Sequence, residues 1–280
     1  MDDTGRRYHT ACTGPAAGTV QKHSDDAEII LFGACFCPFV QRVWSACEFF
    51  GLPYKVDKTL FHLDPYKKPE ALLNISPKGL VPAVILNNYD PPRSLNDSTV
   101  ILEYLEDLAK ERSGKSLMPP LSDPYARALV RLQADQAART VSAFYKFLQS
   151  QSTTDQIDAG KTFLQTIEAT AELLERTERQ TSGSPNKALG LWQEGGELGW
   201  LDVLLGPWLF RATNVLKHYR GFEIRSAKVS AWIQRIIEDK HFAATCSDEQ
   251  LYVDSYERYA FNRPNTSQVA DAINSGRALP

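Results

Sequence analysis

Two cysteines separated by a single residue, Cys35 and Cys37, precede a proline in the sequence Cys-Phe-Cys-Pro. The thiolate is the nucleophilic form of cysteine, and the N–H groups and positive dipole end of a helix N-terminus lower the pKa of a thiol there. Pro38 favours the first position of a helix, so Cys37 is predicted to lie where this effect is largest. A thiolate at Cys37 is suited to attack the sulfur of a mixed disulfide, and Arg42, one turn further along, would add positive charge.

Only Cys37 of this pair is predicted to react. The single residue between Cys35 and Cys37 would strain a disulfide, and Val40 stands where a dithiol redox motif has its second cysteine. A one-cysteine mechanism that uses an external thiol is therefore favoured, and Cys35 is interpreted as a packing residue at a strand end. Three further cysteines lack this context and are interpreted as core or incidental residues: Cys12, Cys47 and Cys246.

The residues around Cys37 form a predicted β-α-β unit. An apolar run over 28–34 indicates a buried strand, and apolar residues at helical spacing follow from Pro38 until Gly51. Residues 54–58 indicate a second strand. Further along, the pattern predicts a short helix at 69–74, strands at 80–86 and 94–95, and a helix at 99–110 with Asp97 and Ser98 at its N-cap.

The second half of the chain is predicted to be almost entirely helical. Lys, Ser, Gly and Pro dominate residues 110–122, which is typical of a linker. Apolar residues then recur at helical spacing over 124–150, 155–177, 201–219, 228–240 and 248–259. We therefore predict an α/β domain over 27–112 and an all-helical domain over 123–263, with a flexible extension at 1–26 and a tail at 264–280.

The composition excludes several classes of function. The chain carries 31 Lys and Arg against 34 Asp and Glu, so its net charge of −3 offers no attraction to nucleic acid or an anionic membrane. The sequence has no run of about 18 apolar residues, and residues 1–26 lack the apolar stretch of a signal peptide. Five cysteines, an odd number, do not fit a secreted disulfide framework. A soluble, cytoplasmic protein without a metal site is expected.

Several motifs occur along the chain in a characteristic order. They are Phe-Cys-Pro-Phe-Val-Gln-Arg at 36–42, Lys-Pro-Glu at 68–70, Gly-Leu-Val-Pro at 79–82, Asn-Asp-Ser at 96–98, Leu-Asp at 201–202 and Pro-Trp-Leu-Phe-Arg at 207–211. Together they resemble the cysteine-containing, omega-type glutathione transferases, and the last motif resembles fungal members most. The resemblance implies a thioredoxin-like domain followed by a helical bundle, glutathione as co-substrate, and a homodimer.

The resemblance also implies a role in glutathione binding for each matching residue. Val81 and Pro82 match the family's cis-proline turn, where the backbone before the proline pairs with the cysteinyl part of the tripeptide. Ser98 and the following helix N-terminus would bind the γ-glutamyl carboxylate, and Asp97, where the family usually has Glu, would pair with the ammonium group. Lys68 would reach the glycyl carboxylate.

The helical half carries two further implied features. Asp202 resembles a buried capping aspartate of the family, although Gly199 stands where the family commonly has Ser or Thr. A second substrate would bind between the domains, against an apolar and aromatic wall. The candidate residues for that wall are Phe39, Tyr125, Leu132 and Tyr252.

The implied activity is glutathione-dependent thiol exchange, as a thioltransferase, a dehydroascorbate reductase or a reductase of glutathione conjugates. Conjugation of glutathione to electrophiles is the alternative, although conjugating relatives carry Ser or Tyr at the position of Cys37. The fold also serves hydrophobic-ligand carriers and membrane-inserting chloride channel proteins. The channel is disfavoured because no long apolar segment follows the cysteine, and the intact glutathione pattern argues against a carrier.

Overall fold

The chain divides into two units. The computed structural model describes residues 9–57, 70–181 and 186–263, together with 272, 275 and 277. In the described residues, one unit comprises 9–117 with 238–251, and the other comprises 118–237 with residues from 252 onward. The division after residue 117 falls within the predicted linker. The segment 238–251, which we expected in the helical domain, instead belongs to the first unit.

The first unit contains a mixed sheet. Its strands are β1 (Ile29–Phe32), β2 (Tyr54–Val56), β3 (Ala83–Leu86) and β4 (Arg93–Asn96). The described strands form one four-stranded sheet in the order β2-β1-β3-β4. β1 pairs in parallel with β2 and antiparallel with β3, and β3 pairs antiparallel with β4. A parallel pair needs a crossover connection, so the predicted β-α-β unit is confirmed.

The described residues of this unit also form helices. They are α1 (Gly14–Lys22), α2 (Pro38–Phe50), α3 (Glu70–Ile75) and α4 (Ser98–Ser113). Pro38 occupies the first position of α2, and Gly51 ends it with a positive φ of 67°. The N–H of Gly51 donates to the carbonyl of Cys47 at 2.9 Å, which closes the last turn.

The structure corrects the prediction of a flexible extension over residues 1–26, because part of it forms α1. Ala16 and Thr19 on this helix are buried. The Thr19 hydroxyl donates to the carbonyl of Ala244 at 2.7 Å, and the Ala16 N–H donates to the carbonyl of Cys246 at 3.0 Å. These partners explain why the segment around residue 245 belongs to the first unit. They follow α1 by 225 residues or more, so local patterning carries no signal of them.

Thr19→Val should lower the free energy of unfolding by about 1–2 kcal/mol. Valine keeps the volume but removes the donor, which leaves the carbonyl of Ala244 without its buried partner. Urea unfolding followed by tryptophan fluorescence measures the effect. Gln21→Ala, on the exposed side of the same helix, should change stability by less than about 0.5 kcal/mol. Equal effects of the two substitutions would show that this hydrogen bond does not hold α1.

The second unit is helical, as predicted. In chain order the later helices are α5 (Pro124–Gln149), α6 (Thr153–Gln180), α7 (Trp200–Arg211), α8 (Lys217–Arg220), α9 (Ala227–Glu238), α10 (Lys240–Ala243) and α11 (Glu249–Ala260). A 3-10 turn at Gly190–Trp192 precedes α7, and a π-helical turn at Ala212–Leu216 joins α7 to α8. α10 belongs to the first unit. In the part of the chain that the structure describes, no helix is long and apolar enough to span a membrane.

A buried carboxylate organises the second unit. Asp202 is 1% exposed and lies in the first turn of α7. One of its oxygens accepts hydrogen bonds from the N–H groups of Leu191 and Gly199, both at 2.8 Å. The other accepts from the indole N–H of Trp232 at 2.7 Å. Asp202 therefore connects three elements: the 3-10 turn, the first turn of α7, and α9.

The 3-10 turn lies so close to Gly199 that a side chain would not fit at this position. A Cβ at Gly199 would lie 2.8 Å from the Cα of Gly190, and a Cβ at Gly190 would lie 2.2 Å from an oxygen of Asp202. Gly190 also has a positive φ of 53°, which favours glycine. The serine or threonine expected three residues before Asp202 would therefore clash here. The N–H of Leu191 provides the carboxylate with an additional donor.

Candidate active site

Cys37 forms the N-cap of α2, as predicted. Its backbone is extended, with φ −79° and ψ 121°, and its carbonyl accepts from the N–H of Gln41 at 3.1 Å. Its N–H donates to the carbonyl of Ala34 at 3.0 Å, which fixes the turn after β1. The Cys37 side chain is half-buried, whereas Cys35 is buried. A partly accessible thiol at the positive end of a helix is well placed to react as a thiolate.

The thiol of Cys37 faces the turn before β3. Its Sγ lies 3.9 Å from the carbonyl oxygen of Val81. The peptide bond between Val81 and Pro82 is cis, as the resemblance implied. Ser76 holds the approach to this turn, because its hydroxyl accepts from the N–H of Leu80 at 3.1 Å. The sulfur of Cys37 and the backbone before the cis-proline are thus neighbours.

Asp97 begins α4, and its predicted capping role is confirmed. One carboxylate oxygen accepts from the N–H of Thr99 at 2.8 Å and from the N–H of Val100 at 3.2 Å. The φ of Asp97 is 74°, a left-handed conformation that Asp and Asn adopt more readily than most residues. The side chain is exposed, so its charge is open to a ligand at this helix end.

Ser98 is linked to α2 by a buried arginine, a contact that was not predicted. Arg42 Nη1 donates to the hydroxyl oxygen of Ser98 at 3.2 Å, and both residues are buried. The guanidinium carbon of Arg42 also lies 5.3 Å from the ring centroid of Phe39. The sequence placed Arg42 one turn beyond Cys37 but gave no sign of its partner 56 residues later. This cation strengthens the positive field at the N-terminus of α4.

The remaining predicted residues lie in varied environments. Lys68 is outside the described residues, so its contact stays a prediction. Phe39 is half-buried in the first unit. In the second unit, Tyr125 and Leu132 are exposed on α5, and the Tyr125 hydroxyl donates to the side-chain oxygen of Gln180 at 2.9 Å.

Tyr252 is a core residue of the second unit. It is fully buried, and its ring centroid lies 5.2 Å from that of Phe210. The guanidinium carbon of Arg211 lies 4.6 Å from the ring centroid of Tyr252. These contacts place the side chain among packed helices. Its assignment to a second-substrate pocket, together with the other three candidates, stays a prediction.

Two further cysteines are buried in the first unit. Burial, together with the neighbouring charge of Glu48, raises the pKa of the Cys47 thiol above its ordinary value. Cys47 is therefore an unreactive core thiol, as predicted. Cys246 accepts a hydrogen bond from the side-chain amide of Gln41 at 3.4 Å, so it packs near the first turn of α2.

Comparisons with known proteins agree with this geometry. Residues 36–108 match the family model of the glutathione S-transferase N-terminal domain. The pyrimidodiazepine synthase of Drosophila melanogaster is 26% identical over 246 residues, which are 86% of this chain and 90% of that protein. Glutathione S-transferase DHAR2 of Arabidopsis thaliana is 28% identical over 224 residues, 79% of this chain and 89% of that protein. Glutathione transferase Omega 3C of Trametes versicolor is 29% identical with a TM-score of 0.71, covering 90% of this chain and 98% of that structure.

The fold is that of the glutathione transferases, with a thioredoxin-like sheet and a cis-proline turn followed by a helical unit. Over most of its length the chain is similar to glutathione transferases, and an omega-class structure is among its neighbours.

Proposed function

We propose that this protein exchanges thiols and disulfides through Cys37, with glutathione as its co-substrate. The observation that carries the proposal is the position of the Cys37 sulfur at the N-terminal end of α2, 3.9 Å from the carbonyl of Val81. A peptide that pairs with the backbone before Pro82 would bring its own sulfur beside this thiol. Such proximity favours disulfide exchange, in which one sulfur attacks another in line.

The proposed reaction has two exchange steps. The Cys37 thiolate attacks the glutathione sulfur of a mixed disulfide, which forms a Cys37–glutathione disulfide and expels the other thiol as a thiolate that takes up a proton. A second glutathione thiolate then attacks the glutathione sulfur on Cys37. Glutathione disulfide leaves, and the thiolate of Cys37 is regenerated. Reduction of dehydroascorbate or of glutathione conjugates would use the same thiol.

The bound glutathione would extend from the cis-proline turn to the start of α4. The backbone of Val81 would pair with its cysteinyl residue, and Ser98 with the N-terminus of α4 would bind the γ-glutamyl carboxylate. Arg42 would hold the Ser98 hydroxyl in place and add positive charge beneath it. Asp97 would pair with the ammonium group, and Lys68 with the glycyl carboxylate.

The experiment that tests the proposal combines turnover with mass spectrometry. The reduced protein is assayed for glutathione-dependent reduction of a mixed disulfide of glutathione and a small thiol, and is then treated with glutathione disulfide. We expect turnover and a single rapid glutathione adduct, mapped to Cys37. Conjugation of an electrophile without an adduct on Cys37 would favour the conjugating alternative. Binding of a hydrophobic ligand without any turnover would favour a carrier.

Asp97→Asn separates the capping role of this residue from its proposed role in binding. Asparagine is an equally good N-cap and tolerates a positive φ, so the free energy of unfolding should change by less than about 0.5 kcal/mol. Loss of the negative charge opposite the ammonium group should raise the KM for glutathione about 5-fold, since an exposed ion pair contributes up to about 1 kcal/mol. Steady-state kinetics with varied glutathione measures this effect.

The matched control is Asp123→Asn. Asp123 caps α5 in the same way, with its carboxylate accepting from the N–H of Ala126 at 2.9 Å. Its replacement should leave the KM for glutathione unchanged. An unchanged KM in both variants would show that Asp97 only caps its helix.

A homodimer forms part of the same proposal because the family resemblance implies it, and a cytoplasmic location is proposed from the composition. Light scattering on the purified protein, combined with size-exclusion chromatography, measures the mass of the assembly. A mass corresponding to a single chain would contradict the dimer.

A further inference from the structure

Gln41 carries a buried polar side chain in the first turn of α2, and the proposed reaction gives it no role. Its side chain lies in the core, with 3% of the residue exposed. Its N–H donates to the carbonyl of Cys37 at 3.1 Å and closes the first turn of the helix. Its side-chain amide donates to the hydroxyl oxygen of Thr245 at 3.2 Å and to the sulfur of Cys246 at 3.4 Å. Gln41 therefore connects the backbone of Cys37 to a segment 204 residues further along the chain.

Thr245 is oriented to accept the hydrogen bond from Gln41. Its hydroxyl donates to the carbonyl of Phe242 at 2.7 Å, so its single proton is used there and a lone pair faces the amide. The residues on either side of Thr245 accept hydrogen bonds from α1 through their carbonyls. The acceptor of Gln41 therefore belongs to a buried turn that contacts both α1 and α2.

The geometry of the first turn of α2 decides which donors a thiolate at Cys37 meets. An N-cap side chain accepts from the N–H groups of the second and third helical residues, which here are Phe39 and Val40. The first helical residue, Pro38, has no N–H. The direction of these groups relative to the sulfur depends on the first turn staying helical, and helix ends fray. A side chain anchored outside the helix, as that of Gln41 is, opposes such fraying.

We propose that Gln41 is a positioning residue for Cys37: its amide fastens the first turn of α2 to Thr245 and thereby holds the sulfur in the geometry that favours a reactive thiolate. This role rests on the proposed function, because it concerns the attack by Cys37. Gln41 acts through the helix rather than through glutathione, so its loss should slow the attack without weakening glutathione binding. That combination distinguishes it from Ser98 and Asp97, whose proposed contacts are with glutathione.

The test measures the reactivity of Cys37 directly. Gln41→Leu keeps most of the side-chain volume but removes the amide donor. The rate at which iodoacetamide alkylates Cys37 is measured as a function of pH by mass spectrometry of the peptide that contains it. We expect the midpoint of this profile to rise by about half a pH unit, and kcat/KM for the mixed disulfide to fall about 5-fold.

Glutathione binding is measured separately with S-methylglutathione, a thioether that cannot exchange. Its Kd, obtained by isothermal titration calorimetry, should stay within about 2-fold of the wild-type value in Gln41→Leu, because the proposed glutathione contacts are made by other residues. A rise in Kd as large as the fall in kcat/KM would overturn the assignment of Gln41 as a positioning residue.

The partner residue provides a second variant and its own rescue. Thr245→Val removes the acceptor and should shift the alkylation midpoint as Gln41→Leu does, whereas Thr245→Ser retains the hydroxyl and should match the wild type. The two substitutions Gln41→Leu and Thr245→Val together should shift the midpoint no further than either alone, because both remove the same hydrogen bond.

Ser45→Ala is the matched control on the same helix. Its buried hydroxyl donates within α2, to the carbonyl of Gln41 at 2.8 Å, so its loss should lower stability without moving the midpoint. An unmoved midpoint in both Gln41→Leu and Thr245→Val, or an equal shift in Ser45→Ala, would overturn the inference. Alkylation needs no glutathione, so failure of the wild type to reduce the mixed disulfide would contradict the proposed function alone. A shifted midpoint in the two variants would still support the positioning of Cys37 by Gln41.

Discussion

Cys37→Ser should lose at least about 10³-fold in kcat/KM for the glutathione-dependent reduction of a mixed disulfide. A hydroxyl cannot form the covalent sulfur intermediate, and its proton is not lost near neutral pH even at the end of a helix. The backbone of this position is fixed by the hydrogen bonds of Cys37 to Ala34 and Gln41, and serine is a good N-cap. The variant should therefore fold normally and still be retained on a glutathione resin.

Cys246→Ser is the matched control for this substitution. Cys246 is also a thiol near the first turn of α2, where it contacts Gln41, but it is buried in a position away from the helix N-cap. Its replacement should leave kcat/KM within about 2-fold of the wild-type value. If Cys37→Ser keeps a tenth or more of the wild-type activity, Cys37 is not the nucleophile. Formation of a glutathione adduct on the Cys37→Ser variant at the wild-type rate would lead to the same conclusion.

Asp202→Ala should lower the free energy of unfolding by about 4 kcal/mol and the melting temperature by about 10 °C. The substitution removes a buried carboxylate that accepts from two backbone N–H groups and one indole N–H. Each bond is charge-assisted, and each donor would be left buried without this partner. Because the 3-10 turn, α7 and α9 all meet at this group, the whole second unit should be affected.

Circular dichroism during heating and urea unfolding measure this effect. Asp158→Ala, at an exposed position on α6, should cost less than about 0.5 kcal/mol. Trp232→Phe should cost about 1 kcal/mol in the wild-type chain and less in the Asp202→Ala background, because the shared hydrogen bond is already lost there. Additive effects of these two substitutions would contradict the contact. A cost below about 1 kcal/mol for Asp202→Ala would show that water replaces the carboxylate.

Features that depend on short stretches of chain were predictable. Pro38 and Gly51 mark the two ends of α2, and Asp97 marks the start of α4, because helix capping involves only residues within a turn of each other. The apolar runs of β1 and β3 identified the two central strands, since strands buried on both faces lack alternation. The position of Cys37 at a helix N-terminus follows from these same local signals.

Contacts between distant parts of the chain were not predictable. Residues 9–26 lack an apolar stripe and therefore resemble a flexible extension, whereas in the structure the carbonyls of Ala244 and Cys246 accept hydrogen bonds from α1. Ser98 and Arg42 lie on different helices, and only the fold brings them into hydrogen-bond contact. Each of these contacts joins groups that no periodic pattern relates.

The sequence by itself determined most of the helices and strands around the candidate site, which cysteine caps a helix, and the resemblance to the glutathione transferases. The tertiary structure alone decided which distant groups meet: α1 with residues 244–246, and Asp202 with Trp232. The physical reason is that capping and strand burial are set by neighbours along the chain, whereas these contacts form only when long intervening segments pack.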